Sequence, residues 1–170
     1  MQFKITLGIL LSLISLSCFS ETCGYTPPPK SVEIDKSINA RVSIRIEETD
    51  CNQAMVSLRI HSTDGKPQKQ LYVVDNKLGA FFGARAQNPN KIISQALVDE
   101  LANEIVVQKI AGNFDIGFKC LNLIPESYIN RLKSKNKYMF SYRWRSNEMR
   151  YIAYIEEIEQ MVVIAQCSKK

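Results

Sequence analysis

Between residues 38 and 61 apolar and polar side chains alternate with a period of two. Ile38, Ala40, Val42, Ile44 and Ile46 share one face, and Asn39, Arg41, Ser43, Arg45 and Glu47 share the other. A second run repeats the pattern, setting Ala54, Val56, Leu58 and Ile60 against Met55, Ser57, Arg59 and His61. This period marks strands buried on one side, so a hairpin is predicted with Asp50-Cys51-Asn52 between its arms. A register placing Arg41 opposite His61, Ser43 opposite Arg59 and Arg45 opposite Ser57 matches the faces. A shift of two would oppose Arg41 and Arg59, which carry like charge. Asp64-Gly65-Lys66-Pro67 reads as a turn, 71–74 as a short strand and 78–82 as another strand.

The period then lengthens. Asn88-Pro89 suits a helix start, since Asn caps free amides and Pro is tolerated in the first turn. Ile93, Leu97, Leu101 and Ile105 recur every four residues, with Val98 and Val106 beside them, so one long helix is expected from Pro89 to Ile110, stopped by Gly112. Asp99, Glu100 and Glu104 on its other side read as a solvated face. Phe114, Ile116, Phe118 and Cys120 alternate as a strand. Pro125 opens a short helix to about Leu132, and the basic run 133–137 reads as a solvated turn. A two-residue Ser146-Asn147 loop then sets Tyr138, Phe140, Tyr142 and Trp144 opposite Ile155, Ala153, Tyr151 and Met149. That register pairs Arg145 with Glu148 but opposes Arg143 and Arg150. Residues 161–167 read as a final strand, whereas 150–162 fits strand and helix spacing alike.

The amino end changes the picture. Lys4 precedes an apolar run over residues 5–16, too short to span a bilayer and ordered like a secretory signal, so residues 1–20 are read as a signal peptide cut after Ser20. Lipid attachment at Cys18 is the alternative; Ser15 stands where such signals usually carry Leu. Removal would leave 150 of the 170 residues and lower the formal charge from +5 to +4. Residues 21–37 form an arm in which Pro27-Pro28-Pro29 favours an extended spacer or clasp. A single domain follows over 38–170.

Of the five cysteines, Cys23, Cys51, Cys120 and Cys167 survive the cut. An even set in an exported chain points to two disulfides, and the scattered spacing lacks the close pairs of zinc sites. Four cysteines allow three connectivities; the one preferred is Cys23–Cys51, tying the arm to a hairpin tip, with Cys120–Cys167 joining two strands. No Asn lies in a glycosylation acceptor, and the expected location is the periplasm or the cell exterior.

Phosphate-binding glycine loops, H-E-x-x-H, G-x-S-x-G and C-x-x-C are all absent, and His61 is the only histidine. No catalytic residue, cofactor or metal site is therefore assigned. Two surfaces could bind a partner. One is the outward strand row Arg41, Arg45, Arg59 and His61, suited to an acidic protein or an anionic envelope polymer. The other is Trp144 with Arg143, Arg145 and Arg150, residue types enriched in binding hot spots. Export and modest charge argue against nucleic acid, and no membrane span is expected after signal removal.

The expected architecture is α+β: a mainly antiparallel sheet with one long helix packed on one face, linked by disulfides. The expected function is an exported non-catalytic binding module, such as an inhibitor, immunity or envelope accessory protein. The alternatives are a wall-acting hydrolase using carboxylates among Asp99, Glu100, Glu104, Glu156, Glu157 and Glu159, or a carrier of a small apolar ligand.

Overall fold

The hairpin read from the alternation is the centre of the first sheet. In the computed structural model, which describes residues 23–35, 38–47, 50–64, 67–110 and 118–169, strands β2 (Ile38–Ile46) and β3 (Met55–Ser62) pair in the expected register. Val42, Ile44 and Ile46 are buried while Arg41 and Arg45 face solvent. The segment read as the signal, Cys18, the strand start at 114–117 and Gly65-Lys66 lie outside the described residues.

Strand β1 (Lys30–Asp35), within the proline-rich arm, pairs with β2, and β4 (Gln70–Lys77) pairs with β3. Four consecutive strands thus form one antiparallel sheet in the order β1-β2-β3-β4. The expected strand at 78–82 is instead a helix, α1 (Leu78–Phe82). Its apolar residues Leu78, Phe81 and Phe82 fall at i, i+3 and i+4, and all three are buried on one side.

The long helix is also shorter than expected. Asn88 adopts a left-handed conformation with φ 49°, and α2 (Lys91–Glu104) starts after Asn90, whose side chain accepts from the Ile93 amide at 2.8 Å. It ends before the β-branched run Ile105-Val106-Val107, which enters β5 (Val106–Lys109) and pairs with the strand over 138–141.

The second sheet contains β5, β6 (Phe118–Asn122), β7 (Tyr138–Arg145), β8 (Glu148–Ile155) and β9 (Gln160–Lys169), in the order β5-β7-β8-β9-β6. Residues 150–155 are therefore strand, followed by one 3-10 turn over Glu156–Ile158. Helix α3 (Glu126–Ser134) begins after Pro125 as expected. The architecture is α+β with two antiparallel sheets and three short helices among the described residues, in place of one sheet and one long helix.

The two sheets share a core. It takes Val42, Ile44, Val56, Leu58 and Ile60 from the first sheet, and Phe140, Tyr142, Ile152 and Met161 from the second. Phe81 of α1 and Val98 and Leu101 of α2 join that core without measurable exposure. A second cluster lies on the five-stranded sheet, where Met139, Tyr151, Ala153, Ile155 and Ile164 meet Leu132 of α3. Burial of each such aliphatic side chain contributes roughly 1.5–3 kcal/mol relative to exposure. Both expected disulfides form: Cys23–Cys51 at the end of the first hairpin, and Cys120–Cys167 between directly opposed residues of β6 and β9. No helix among the described residues is long and apolar enough to cross a membrane.

Candidate functional site

The turn joining β7 and β8 departs from the expected register by one residue, and that departure organises its arginines. Arg145 pairs with Glu148 as expected, but Trp144 is an extra residue, so Arg143 meets Met149 and Tyr142 meets Arg150. A bulge of this kind re-aims side chains. Here consecutive residues both reach α1: Trp144 packs edge-on against Phe81, with centroids 6.3 Å apart, and the Arg143 guanidinium lies 5.1 Å from the Phe82 ring centre. The expected opposition of Arg143 and Arg150 is thereby corrected. Arg150 instead stacks 3.6 Å from the Trp144 ring centre and donates to Gln166 Oε1 at 3.3 Å.

Much of the Trp/Arg patch is consequently occupied by its own neighbours. Gln166 passes a hydrogen bond on to Glu148 at 3.2 Å, and Glu148 lies 3.7 Å from Arg145. Arg143 donates to Glu104 and sits 3.4 Å from Glu100, while Arg85 holds Glu100 through two hydrogen bonds of 2.8 and 2.6 Å. Of the four residues, only Arg145 has a largely exposed side chain, at 60%.

These contacts also revise the acidic side of α2, which is not simply solvated. Asp99 accepts from the Tyr25 hydroxyl at 2.7 Å, raising that phenol above its ordinary value chiefly through the hydrogen bond. Glu100 is held below the usual carboxylate range, mainly by the hydrogen bonds from Arg85. Burial pushes Glu104 in the opposite direction, against the pull of Arg143, and its Oε2 is buried with no hydrogen-bond partner. A helix puts positions 100 and 104 on one face, so the two carboxylates share Arg143 and tether α2 to β7. Glu156 and Glu159 are held low principally by hydrogen bonds from Lys137 and Lys69, respectively. Lys135 and Lys137 of the basic run both reach Glu156, so this run is tied to the 3-10 turn between β8 and β9.

The outward row of the four-stranded sheet is different. Glu47 serves two of its arginines: it pairs with Arg45 and, at 2.8 Å, with Arg59, which also donates to Ser57 Oγ at 2.9 Å. Arg41 is exposed and lies opposite both Ser31 on β1 and His61 on β3; His61 in turn lies opposite Gln70 on β4. The side chains of Arg41 and His61 make no hydrogen bond or ion pair among the described residues. One polar line therefore crosses all four strands, with a guanidinium and an imidazole at its centre.

Alternation in the sequence places Arg41 opposite His61 on the outward face, as the structure does, and it gives no sign of Arg85, Phe82, Tyr72 or Gln166 as contact partners. Tyr72 and Tyr142 share a 2.6 Å hydroxyl hydrogen bond between the sheets, and burial drives Tyr142 well above the ordinary phenol range. Nothing local marks such partners, because Tyr72 and Tyr142 are 70 positions apart. Among the described residues no group of three His, Cys, Asp or Glu side chains converges as a metal site. Comparison with protein-family models, curated proteins and solved structures finds no match.

Proposed function

We propose that this chain is an exported, non-catalytic protein-binding module of the inhibitor, immunity or envelope accessory kind, acting in the periplasm or outside the cell. It presents the outer face of its four-stranded sheet to an acidic partner. The observation carrying this reading is the Arg41–His61 pair: two donors side by side on hydrogen-bonded strands, with no acidic side chain engaging them among the described residues. Strands backed by a packed core hold such donors with little loss of freedom on binding, which favours charge-assisted contacts to carboxylates. The two disulfides suit an oxidising compartment.

The alternatives have less support. A hydrolase needs two carboxylates facing a common cleft, whereas Glu100 and Glu104 share Arg143, Asp99 holds Tyr25, and Glu156, Glu157 and Glu159 pair with Lys137, Arg131 and Lys69. A carrier needs room between helix and sheet, where Phe81, Val98 and Leu101 pack into the shared core.

The test is capture from an envelope extract on the immobilised wild-type chain and on an Arg41→Glu variant. The expected result is a protein retained by the wild type, released by salt, and reduced at least about tenfold by charge reversal at this exposed position. Equal capture by both chains, or no salt-sensitive retention by the wild type, overturns the proposal. Matching thermal unfolding of the two chains confirms that folding is not the cause.

A further inference from the structure

The two disulfides differ in what a thiol could reach. Cys23 has no measurable exposure and Cys51 is 9% exposed, and both belong to the main core. Cys167 is likewise buried, but Cys120 is only half-buried. It sits on β6, the edge strand of the five-stranded sheet, and is paired with β9 on one side only. Disulfide exchange requires a thiolate to approach one sulfur while the other leaves, so access to a single sulfur governs the reaction.

We propose that Cys120–Cys167 is a thiol–disulfide exchange site for a dithiol reductant, and that Cys23–Cys51 in the same folded chain is closed to such attack. One thiolate of the dithiol attacks Cys120 Sγ. The Cys120–Cys167 bond breaks, Cys167 leaves with the electron pair, and a mixed disulfide forms on Cys120. The second thiolate of the dithiol then attacks its own partner sulfur, closing the reagent's disulfide and releasing Cys120. Two electrons pass to the protein, the dithiol is oxidised, and its two protons end on Cys120 and Cys167. Burial selects the sulfur that is attacked, since attack at the other end of the bond would have to reach the buried Cys167 Sγ. Once opened, β6 is held to β9 by its five paired positions without the covalent clip, while the four-stranded sheet keeps its own disulfide.

The test is limited reduction of the folded full-length protein with dithiothreitol, trapping by iodoacetamide, and peptide mapping without further reduction. The expected result is alkyl groups on Cys120 and Cys167 while Cys23–Cys51 remains linked, with at least about a tenfold difference in rate. Repeating the reduction in guanidinium should abolish most of that difference, because unfolding equalises access. Opening of Cys23–Cys51 first, or of both disulfides together in the folded protein, overturns the proposal. So does a preference that persists undiminished in guanidinium, since it would not come from the fold.

Discussion

The two sheets are both antiparallel, yet one is a surface layer and the other an interior one. The four-stranded sheet buries Val42, Ile44, Leu58 and Ile60 and turns Arg41, Arg45 and Arg59 outward. The five-stranded sheet meets the first sheet and helices α1 and α2 through Phe140, Tyr142 and Ile152, and meets α3 through its second cluster. Three consecutive residues of β8, Tyr151, Ile152 and Ala153, are all buried. A surface sheet keeps one face in solvent, whereas an interior sheet packs both faces.

The largest effect that could break this contrast comes from truncating both faces of the interior sheet. Ile152→Ala faces the shared core and Ile164→Ala faces the α3 side. Each is expected to cost about 2–5 kcal/mol in urea unfolding. On the surface sheet Leu58→Ala should fall in that range, while Ser43→Ala on its outer face stays within about 0.5 kcal/mol. An Ile164→Ala cost as small as that of Ser43→Ala would show that α3 does not truly cover the second face.

A smaller effect probes the junction between α1 and the β7–β8 turn. Gly83 closes α1 at φ 56° and ψ −131°, a backbone region that side chains rarely adopt, and an added Cβ would lie 3.3 Å from Ser146 Cβ. The Ser146 amide donates to Ala80 O at 3.1 Å in the same place. Gly83→Ala should therefore lower stability by about 1–3 kcal/mol, measurable as a lower urea midpoint with an unchanged slope.

The smallest effect sharpens the tether between α2 and β7. Glu104 binds its proton more tightly when folded, so its ionisation removes stability as pH rises above the ordinary carboxylate value of 4.5. Glu100 has the opposite shift, so its contribution is present above 4.5 and lost as pH falls through its lower folded value. Relative to wild type, Glu104→Gln should gain stability as pH rises above 4.5, and Glu100→Gln should gain it as pH falls below 4.5. Urea unfolding of both variants on either side of that pH checks the two slopes; slopes of the same sign would remove the assigned roles.

The surface sheet was also the more legible in sequence. One wet face leaves strict alternation, from which the Arg41–His61 register follows residue by residue. The interior sheet needs apolar residues on both sides, so alternation fades just where the segment 150–162 read ambiguously. A bulge such as that at Trp144 leaves no mark in a period-two pattern, and it moved the arginine contacts by one position. Helix α1 is one and a half turns long, too short for its spacing to outweigh Phe81-Phe82 as strand formers. Of the candidate surfaces, the outward row was legible because its residues share neighbouring strands. The arginine–carboxylate tether was not, because Arg143 and Glu104 are 39 positions apart.

The cysteine pairs follow one another along the chain without interleaving, at separations of 28 and 47 residues. A polypeptide emerging amino end first presents Cys51 as the only partner for Cys23 among the four paired cysteines, long before Cys120 appears. Strands β1 to β4 are likewise consecutive, so the first sheet has all its members while the second still awaits β9. Among these four cysteines, order of appearance favours the native connectivity. An oxidant acting on the growing chain can close each bond as its second cysteine arrives, with no reshuffling step needed afterwards.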